Sequence, residues 1–228
     1  MEIALGIIVA LIIIVIIIFK WWKDKKDREL LQTVTTLDSG TRSERMIVLA
    51  LLKHGISPLA IFHDVYIEKL NGHFSQVDVV VCTKVGVIVI EDKHFGGWIF
   101  GNGSSTNWTQ VMAFGNEKYK FYNPIKQNEK HIAQLKKLLN ENVLFFSVIV
   151  FSGNSELKDI SGVPNDTYII KSHQLLSLVQ NILNTNEQIK YANNSLVATK
   201  LKQSVDNGRN LDIRTKHIQN IRERQIAD

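Results

Sequence analysis

The sequence has few of the residues that form covalent cross-links or rigid turns in a small protein. Of 228 residues one is cysteine and three are proline, and no low-complexity tract or internal repeat occurs. Cys82 has no partner for an internal disulfide, and its place in an apolar stretch predicts a buried thiol rather than a nucleophile, which suits a reducing compartment. No histidine has metal-ligand spacing with a cysteine, so packing or surface roles are favoured over zinc binding for His54, His63, His73 and His94.

Charged and polar side chains are also absent from residues 3–19, which contain only Ile, Val, Leu, Ala, Gly and Phe. A helix of this length measures about 26 Å, enough to cross the hydrocarbon of a bilayer. Trp21 and Trp22 follow at the position of an interfacial aromatic belt, and a basic cluster accompanies them: Lys20, Lys23, Lys25, Lys26 and Arg28. We expect a single-pass cell-membrane anchor through residues 3–22, with the N-terminus outside and the C-terminal domain cytoplasmic. The basic n-region, shorter core and cleavage site of a removed signal peptide are missing.

The rest of the chain, about 200 residues, is long enough for one globular domain with an appendage. The formal net charge of +5 is compatible with nucleic acid or an anionic membrane surface. Part of this excess belongs to the juxtamembrane cluster, whose ordinary role is topology. The predicted divisions are an anchor at residues 1–22, a basic linker at 23–39, a central domain at 40–184 and a polar, helical appendage at 185–228.

Hydrophobic periodicity predicts the order α-β-β-β-α-β-α for the central domain. The first helix follows the capping segment 38–41 and ends near Gly55, and Pro124 opens a second helix that runs to about Asn140. A third helix is predicted at residues 172–183. Strands are predicted at residues 61–67, 76–83, 85–91, 143–151 and 168–170. A glycine-rich excursion around residues 96–108 could include further short strands, but its path is not predicted. The sparse apolar residues beyond Asn184 suggest helices lying on the surface.

Charged residues interrupt two of these apolar strands. Side chains two apart on a strand share a face, so Glu91 and Lys93 point one way and Asp92 points the other. A facing Asp78 would complete a small charged pocket. Two carboxylates and an ammonium stabilise a core poorly, but they can hold a hard divalent cation beside a phosphate. This pattern is typical of nuclease chemistry.

The spaced motifs resemble the nuclease-related domain family (NERD), a branch of the PD-(D/E)xK phosphodiesterase superfamily, which includes restriction endonucleases and Holliday junction resolvases. The residues that carry the resemblance are Gly40 with Glu44, Gln76-Val77-Asp78, Ile90-Glu91-Asp92-Lys93, Gly97, Trp108, Asn123-Pro124 and Gln127. One departure is that Gly40 to Glu44 lacks the second glycine that often precedes this glutamate. The resemblance implies a restriction-endonuclease-like α/β core, with a mixed central sheet flanked by helices, preceded here by one transmembrane helix.

The resemblance also implies a metal site. Asp78 and Glu91 would bind Mg²⁺ or Mn²⁺, with the main-chain carbonyl of Asp92 as a further ligand. Hydrolysis of a phosphodiester needs an activated water and neutralisation of the charge that builds on the phosphate, and carboxylates supply the hard oxygens that Mg²⁺ prefers. The expected substrate is nucleic acid, DNA or RNA.

Three further residues complete the expected site. The resemblance makes Lys93 catalytic and adds Glu44 and Gln127. A lysine beside a metal and a phosphate could position or deprotonate water, and the nearby carboxylates favour positioning because they stabilise its charged form. Glu44 could bind the metal through water, and Gln127 could orient water or a phosphate oxygen.

Other interpretations remain open from the sequence. An isolated Glu-x-Lys is usually an exposed ion pair, although Asp78, Glu44 and Gln127 in order favour a site. Because descent is not activity, an inactive module that binds nucleic acid or a protein partner at the membrane is the alternative, and a tethered structural scaffold is the third. Whether two copies form a homodimer to cut two strands is also open.

Two sets of residues have ordinary interpretations. Trp98 and Trp108 are expected to be packing anchors rather than base-stacking platforms, because no basic-aromatic alternation surrounds them. The helix face with Lys130, His131, Lys136 and Lys137 is expected to be solvated, unless it borders the cleft and touches phosphates.

Overall fold

The computed structural model describes residues 2–69, 72–112, 115–140, 142–191 and 194–227. The helices are α1 Glu2–Leu31, α2 Arg42–Lys53, α3 Pro124–Leu139, α4 Leu175–Thr185, α5 Asn194–Arg209 and α6 Leu211–Ala227. The strands are β1 Ile61–Glu68, β2 Phe74–Thr83, β3 Gly86–His94, β4 Gly97–Asn102, β5 Asn107–Met112, β6 Glu117–Tyr122, β7 Phe145–Ser152, β8 Ser155–Ser161 and β9 Thr167–Lys171.

A five-stranded mixed sheet, in the order β1-β2-β3-β7-β9, forms the centre of the fold. The first three strands make the predicted antiparallel meander, and β7 and β9 continue the sheet parallel to β3. Every residue of β7 is buried because helices cover both faces of the sheet. The restriction-endonuclease-like α/β architecture expected from the motifs is therefore confirmed.

Helices pack on both faces of this sheet. One face packs against α2 and α4, and the other against α3 and α5. Leu51, Leu135 and Leu201, from α2, α3 and α5, are each 0% exposed. Complete burial of one such side chain contributes about 1.5–3 kcal/mol. The two layers fix α2 and α3 relative to the strands between them.

The C-terminal helix α5 is more deeply packed than its sparse apolar residues suggested. Its buried residues Val197, Leu201, Ser204 and Gly208 recur with helical spacing and face β1. A Cβ atom on Gly208 would lie 2.8 Å from the Tyr66 ring, so a small residue is needed for the close approach. The predicted helix is present, and its contact face with β1 includes the small residues Ser204 and Gly208.

The glycine-rich excursion forms a second sheet. Strands β4, β5 and β6 pair as antiparallel neighbours, and β8, which was not predicted, joins β4 in parallel to give the order β6-β5-β4-β8. Trp108 is 1% exposed and stacks on Phe151, with 6.2 Å between ring centroids. Trp98 is half-buried, with the Lys158 Nζ 5.4 Å from its ring centroid. The packing role is confirmed for Trp108, and that of Trp98 stays a prediction.

Helix α1 continues through the basic cluster without a break. Among the described residues it is the one helix long and apolar enough to cross a membrane, with a mean hydropathy of 2.4 over its most apolar window. Its last residue, Leu31, is 6% exposed within the core beside α2. A salt bridge of 2.6 Å between Lys53 and Asp27 ties the two helices together. The predicted linker from residue 23 thus begins as helix, and Leu31 within it packs in the core of the domain.

Candidate functional site

The predicted carboxylates lie where the central sheet forks. The antiparallel ladder between β2 and β3 ends at the pair Val79–Ile90, while β2 stays paired with β1 and β3 stays paired with β7. Asp78 and Glu91 are the next residues along the two strands, so both carboxylates lie at the opening of the fork. Asp78 Oδ2 accepts a hydrogen bond from the Asp92 main-chain N–H at 2.8 Å. This bond satisfies a backbone donor where the ladder has ended.

Lys93 is held between two acceptors at the fork. Its Nζ donates to Glu91 Oε1 at 2.6 Å and to Gln127 Oε1 at 3.1 Å. The side chain of Lys93 is 17% exposed and that of Glu91 is 2% exposed. The pair is therefore not an exposed surface ion pair, which was the ordinary interpretation of the motif.

The start of α3 positions Gln127. Asn123 caps the helix, since its Oδ1 accepts the Ile125 N–H at 2.9 Å, and Pro124 occupies the first helical position. The side-chain amide of Asn123 also donates to three main-chain carbonyls, those of Asn102, Gly103 and Ser105. The second sheet thereby anchors the helix end that carries Gln127.

His131 belongs to the site, although the sequence placed it on a solvated helix face. It is 6% exposed, and its Nδ1 lies 3.1 Å from Ser75 Oγ. Its Nε2 lies 3.3 Å from Glu91 Oε2, but the two atoms are not aligned for a hydrogen bond, and neither has another partner among the described residues. His131 follows Gln127 by four residues, so helical spacing was the signal that could have found it.

Glu44 is presented by the first turn of α2. Thr41 caps this helix, and its Oγ1 accepts the Glu44 N–H at 3.2 Å and donates to Glu44 Oε1 at 2.8 Å. The Nε2 of His63 lies 3.3 Å from Glu44 Oε2. Burial raises the pKa of Glu44, but the hydrogen bonds with His63 and Thr41 outweigh it, so the pKa lies below its ordinary value. Glu44 is therefore a buried anion.

The two carboxylates at the fork differ in electrostatic character. Burial, followed by the charges of Glu91 and Glu44, raises the pKa of Asp78 well above its ordinary value, although Lys93 opposes this. Burial also raises the pKa of Glu91, but Lys93 and His131 outweigh it and leave that pKa lowered. Burial lowers the pKa of Lys93, but Glu91 and Asp78 outweigh it and raise the pKa above its ordinary value. Lys93 and Glu91 are therefore a charged pair, and Asp78 lacks a cation of its own.

Asp92 points to the opposite face of the sheet, as strand alternation predicted. Its Oδ1 accepts a hydrogen bond from Ser152 Oγ at 2.7 Å, and Ser152 Oγ lies 3.1 Å from His94 Nδ1. Burial raises the pKa of Asp92, partly offset by hydrogen bonds from Ser43 and Ser152. An open cleft of about 650 Å³ lies beside these residues, and Ser43, His94 and Ser152 contribute to its lining with apolar side chains such as Met46.

The residues at the fork fit a hard divalent cation. Glu91 Oε2, which accepts no hydrogen bond from the described residues, and the carboxyl of Asp78, whose pKa is raised, are oxygens of the type that Mg²⁺ and Mn²⁺ prefer. In the part of the chain that the structure describes, no three His, Cys, Asp or Glu side chains form a metal-binding group. A cation held by two carboxylates would therefore need carbonyl, water or phosphate oxygens as further ligands, which is usual for Mg²⁺.

The structure brings the predicted residues to one place from four elements. Glu44 comes from α2, Asp78 from β2, Gln127 from α3, and the Glu91-Asp92-Lys93 run from β3. Among the described residues, Glu44 makes no hydrogen bond to the other predicted site residues. Its negative charge acts on two of them, because it raises the pKa of Asp78 and of Asp92. Besides His131, the sequence reasoning missed Asp64, a buried carboxylate of β1.

Comparison with known proteins gives this arrangement a family. The family model described as nuclease-related domain matches residues 39–152, which is half of the chain. The chain belongs to this family, and the matched range includes all six predicted site residues. An uncharacterized protein of Bacillus anthracis is 24% identical over 182 residues, covering 78% of this chain and 82% of that protein. No solved structure matches the chain.

Proposed function

We propose that the protein is a Mg²⁺- or Mn²⁺-dependent nuclease that hydrolyses phosphodiester bonds of DNA or RNA. The observation that carries this proposal is the fork, where Asp78 and Glu91 meet and Lys93 is fixed between Glu91 and Gln127. A buried carboxylate oxygen usually accepts a hydrogen bond, whereas Glu91 Oε2 accepts none from the described residues, with His131 Nε2 3.3 Å away. Membership of the nuclease-related domain family supports the same reaction class.

The metal would be held by Asp78, Glu91 and the main-chain carbonyl of Asp92. When bound, it would neutralise charge on the phosphate and lower the pKa of a coordinated water. Lys93 and His131 lower the pKa of Glu91, which favours its ionised form. Asp78 ionises less readily, so its negative charge is available chiefly when a cation is present to stabilise it.

Lys93 would act as a cation and a hydrogen-bond donor. Its raised pKa keeps the ammonium protonated at neutral pH, which makes it a poor general base. Held by Glu91 and Gln127, it retains a third N–H for a phosphate oxygen or a water. Such a preorganised donor stabilises charge that develops in the transition state.

We further propose that α1 anchors the nuclease in a membrane, with the domain on the cytoplasmic side. The described side chains of the apolar segment are exposed, so no packing within the chain accounts for them. Lys26 Nζ lies 3.8 Å from the ring centroid of Trp22, an arrangement suited to the interfacial region. The basic cluster on the domain side of the segment follows the positive-inside rule.

Cleavage by the full chain in detergent or nanodiscs tests the proposed function. Labelled single-stranded, double-stranded and branched DNA and RNA would be incubated with Mg²⁺ or Mn²⁺, alongside Asp78→Asn and Glu91→Gln. We expect chelator-sensitive cleavage that either variant reduces by at least about 100-fold, since losing even the outer partners of a metal site costs about 10–100-fold.

Two control variants remove carboxylates away from the fork. Asp159→Asn changes an exposed residue of β8, and Glu129→Gln changes an exposed residue of α3. Both should cleave like wild type. If the wild-type chain cleaves none of these substrates with either metal, the inactive binding module is the better account.

A further inference from the structure

Strand β1 contains a buried aspartate in an unusual backbone conformation. Asp64 is 3% exposed and has φ +58°, in the left-handed region that non-glycine residues rarely occupy. A strained conformation persists only where the surrounding structure determines it, and such residues cluster at functional sites.

The strained residue lies opposite a predicted metal ligand. The register pairs His63 with Val79 and Val65 with Val77, which places Asp64 across from Asp78. Both strands change faces here: Val79 packs in the core beneath α2, whereas Val65 and Val77 pack beneath α3. Asp64 therefore lies at the point where β1 and β2 change faces, across from Asp78 at the fork.

The Asp64 carboxylate also holds the segment that precedes α2. Its Oδ2 accepts the Gly40 N–H at 3.1 Å, and its Oδ1 accepts a side-chain N–H of Gln76 at 2.9 Å. Gly40 has φ +58°, and a Cβ there would collide with Glu44 Oε2 and the His63 ring. The hydrogen bond from Gly40 thus fixes a chain segment in direct contact with Glu44.

The other side of Glu44 is fixed by a histidine and a threonine. His63 is 1% exposed, with Nε2 3.3 Å from Glu44 Oε2 and Nδ1 2.7 Å from Thr35 Oγ1. Thr35 is 5% exposed and lies four residues after the end of α1. A chain of close contacts therefore leads from the exit of the membrane helix to the Glu44 carboxylate.

We propose, on the basis of the nuclease function proposed above, that His63 and Asp64 are positioning residues that hold Glu44 at the fork. Thr35 completes the arrangement, so the segment after α1 is part of the site and not only a tether. Neither His63 nor Asp64 is placed to bind the metal. They act by fixing the orientation of Glu44 and of the chain around Gly40.

The first test compares two threonines of the same segment in the full chain. Thr35→Val removes the hydroxyl beside His63, whereas Thr33→Val removes an exposed hydroxyl that donates only to the Leu30 carbonyl. We expect Thr35→Val to lower kcat by about 10-fold or more with little change in KM, as losses of outer partners do. Thr33→Val should leave kcat unchanged. Equal kcat values for the two variants would overturn the proposal.

The second test separates positioning from folding. Asp64→Gly keeps the left-handed backbone without strain but removes the carboxylate that accepts from Gly40 and Gln76. The thermal midpoint should fall, because two hydrogen bonds are lost, and kcat measured well below that midpoint should fall by about 10-fold or more. Asp64→Asn retains one acceptor oxygen and a side chain tolerated at positive φ, and should recover part of kcat. Full activity in Asp64→Gly would show that the residue has only a structural role.

A spectroscopic readout keeps the proposal testable if no nuclease activity is found. The ¹⁵N chemical shifts of the His63 imidazole report its tautomer and partners. Thr35→Val and Glu44→Gln should each shift these signals, and Thr33→Val should not. If the His63 signals do not change in Thr35→Val, the proposed contact between His63 and Thr35 is wrong whether or not the protein is a nuclease. If they respond while cleavage is absent, the arrangement stands and only the nuclease function fails.

Discussion

Asp78 and Glu91 occupy equivalent positions, since each is the first residue beyond the end of the antiparallel ladder between β2 and β3. Their surroundings make them different. Glu91 faces the ammonium of Lys93 and the imidazole of His131, whereas Asp78 receives one main-chain N–H and the repulsion of Glu91 and Glu44. The pKa of Glu91 is consequently lowered and that of Asp78 is raised.

This difference teaches how a buried charged site can be compatible with a stable fold. On the side of the fork toward α3, Lys93 and His131 face Glu91 and lower its pKa. The side toward β1 is left short of positive charge, which a divalent cation could supply. The incomplete electrostatic balance at Asp78 is therefore the feature most consistent with metal binding.

The largest effect that tests the difference between Asp78 and Glu91 is expected when each carboxylate is neutralised in the metal-free protein. Glu91→Gln leaves Lys93 buried without its anion, and breaking a buried pair in this way costs about 3–5 kcal/mol of unfolding free energy. Asp78→Asn removes a carboxyl whose ionisation the fold disfavours, so the unfolding free energy should rise. Urea denaturation with chelator measures both.

Opposite signs for the two variants would support the comparison, and Asp159→Asn provides an exposed reference on β8. A loss of stability of similar size in Asp78→Asn and Glu91→Gln would contradict it, because both carboxylates would then be stabilising anions.

A smaller effect on catalysis should distinguish Gln127, which accepts a hydrogen bond from Lys93, from the proposed metal ligands Asp78 and Glu91. Gln127→Leu removes the Oε1 that accepts from Lys93 at 3.1 Å while keeping a side chain of similar size. Lys93 keeps its bond to Glu91 but loses a fixed direction, so kcat should fall by about 10–100-fold while the affinity for Mn²⁺ changes little. Cleavage rates and calorimetry measure the two effects.

Lys137→Met, which changes an exposed residue of α3, is the corresponding surface control. Loss of Mn²⁺ binding in Gln127→Leu would place this residue among the metal ligands instead.

The smallest predicted effect is the pH dependence of the metal-free fold. The folded-state pKa of Asp78 is raised, so the folded protein binds this proton more tightly than the unfolded chain does. Its contribution to the unfolding free energy is present below the unfolded pKa of about 3.9 and declines as the pH rises toward the folded pKa. Glu91 contributes with the opposite sign, because its pKa is lowered.

Denaturation at several pH values in wild type and Asp78→Asn isolates this contribution. The variant should lose less stability than wild type as the pH rises from about 4 to 7. Identical curves would mean that Asp78 ionises freely at the fork.

The placement of the charged residues at the fork could be predicted from the sequence because it depends on local rules. Alternation along β3 separates Glu91 and Lys93 from Asp92, and the meander leaves few ways to place Asp78 other than opposite Glu91. The cap at Asn123 and Pro124 likewise fixes the helix that carries Gln127. Short-range rules therefore locate most of the site.

The second sheet could not be predicted because its pairing is long-range and its strands are weakly apolar. Strand β8 is mostly exposed, and its parallel partner β4 lies more than fifty residues earlier. Packing against Trp108 and Phe151, not β propensity, orders this region.

The residues that surround Glu44 could not be predicted from the sequence for a related reason. Nothing in the sequence around Asp64 indicates a positive φ, which arises from the change of faces in β1 and β2. His63 looked like one of several isolated histidines, and only the folded chain brings it between Thr35 and Glu44. Tertiary contacts, rather than local patterns, assign these residues their positions.

The central claim is that the fork between β2 and β3 binds a catalytic cation. Its most direct test is a titration of the full chain with Mn²⁺, in which electron paramagnetic resonance measures bound metal and a labelled nucleic acid measures cleavage in the same samples. The account predicts that cleavage rises in proportion to Mn²⁺ bound at a site that Asp78→Asn abolishes and Asp159→Asn retains. Mn²⁺ binding that is unchanged in Asp78→Asn, or cleavage that proceeds without bound metal, would contradict it.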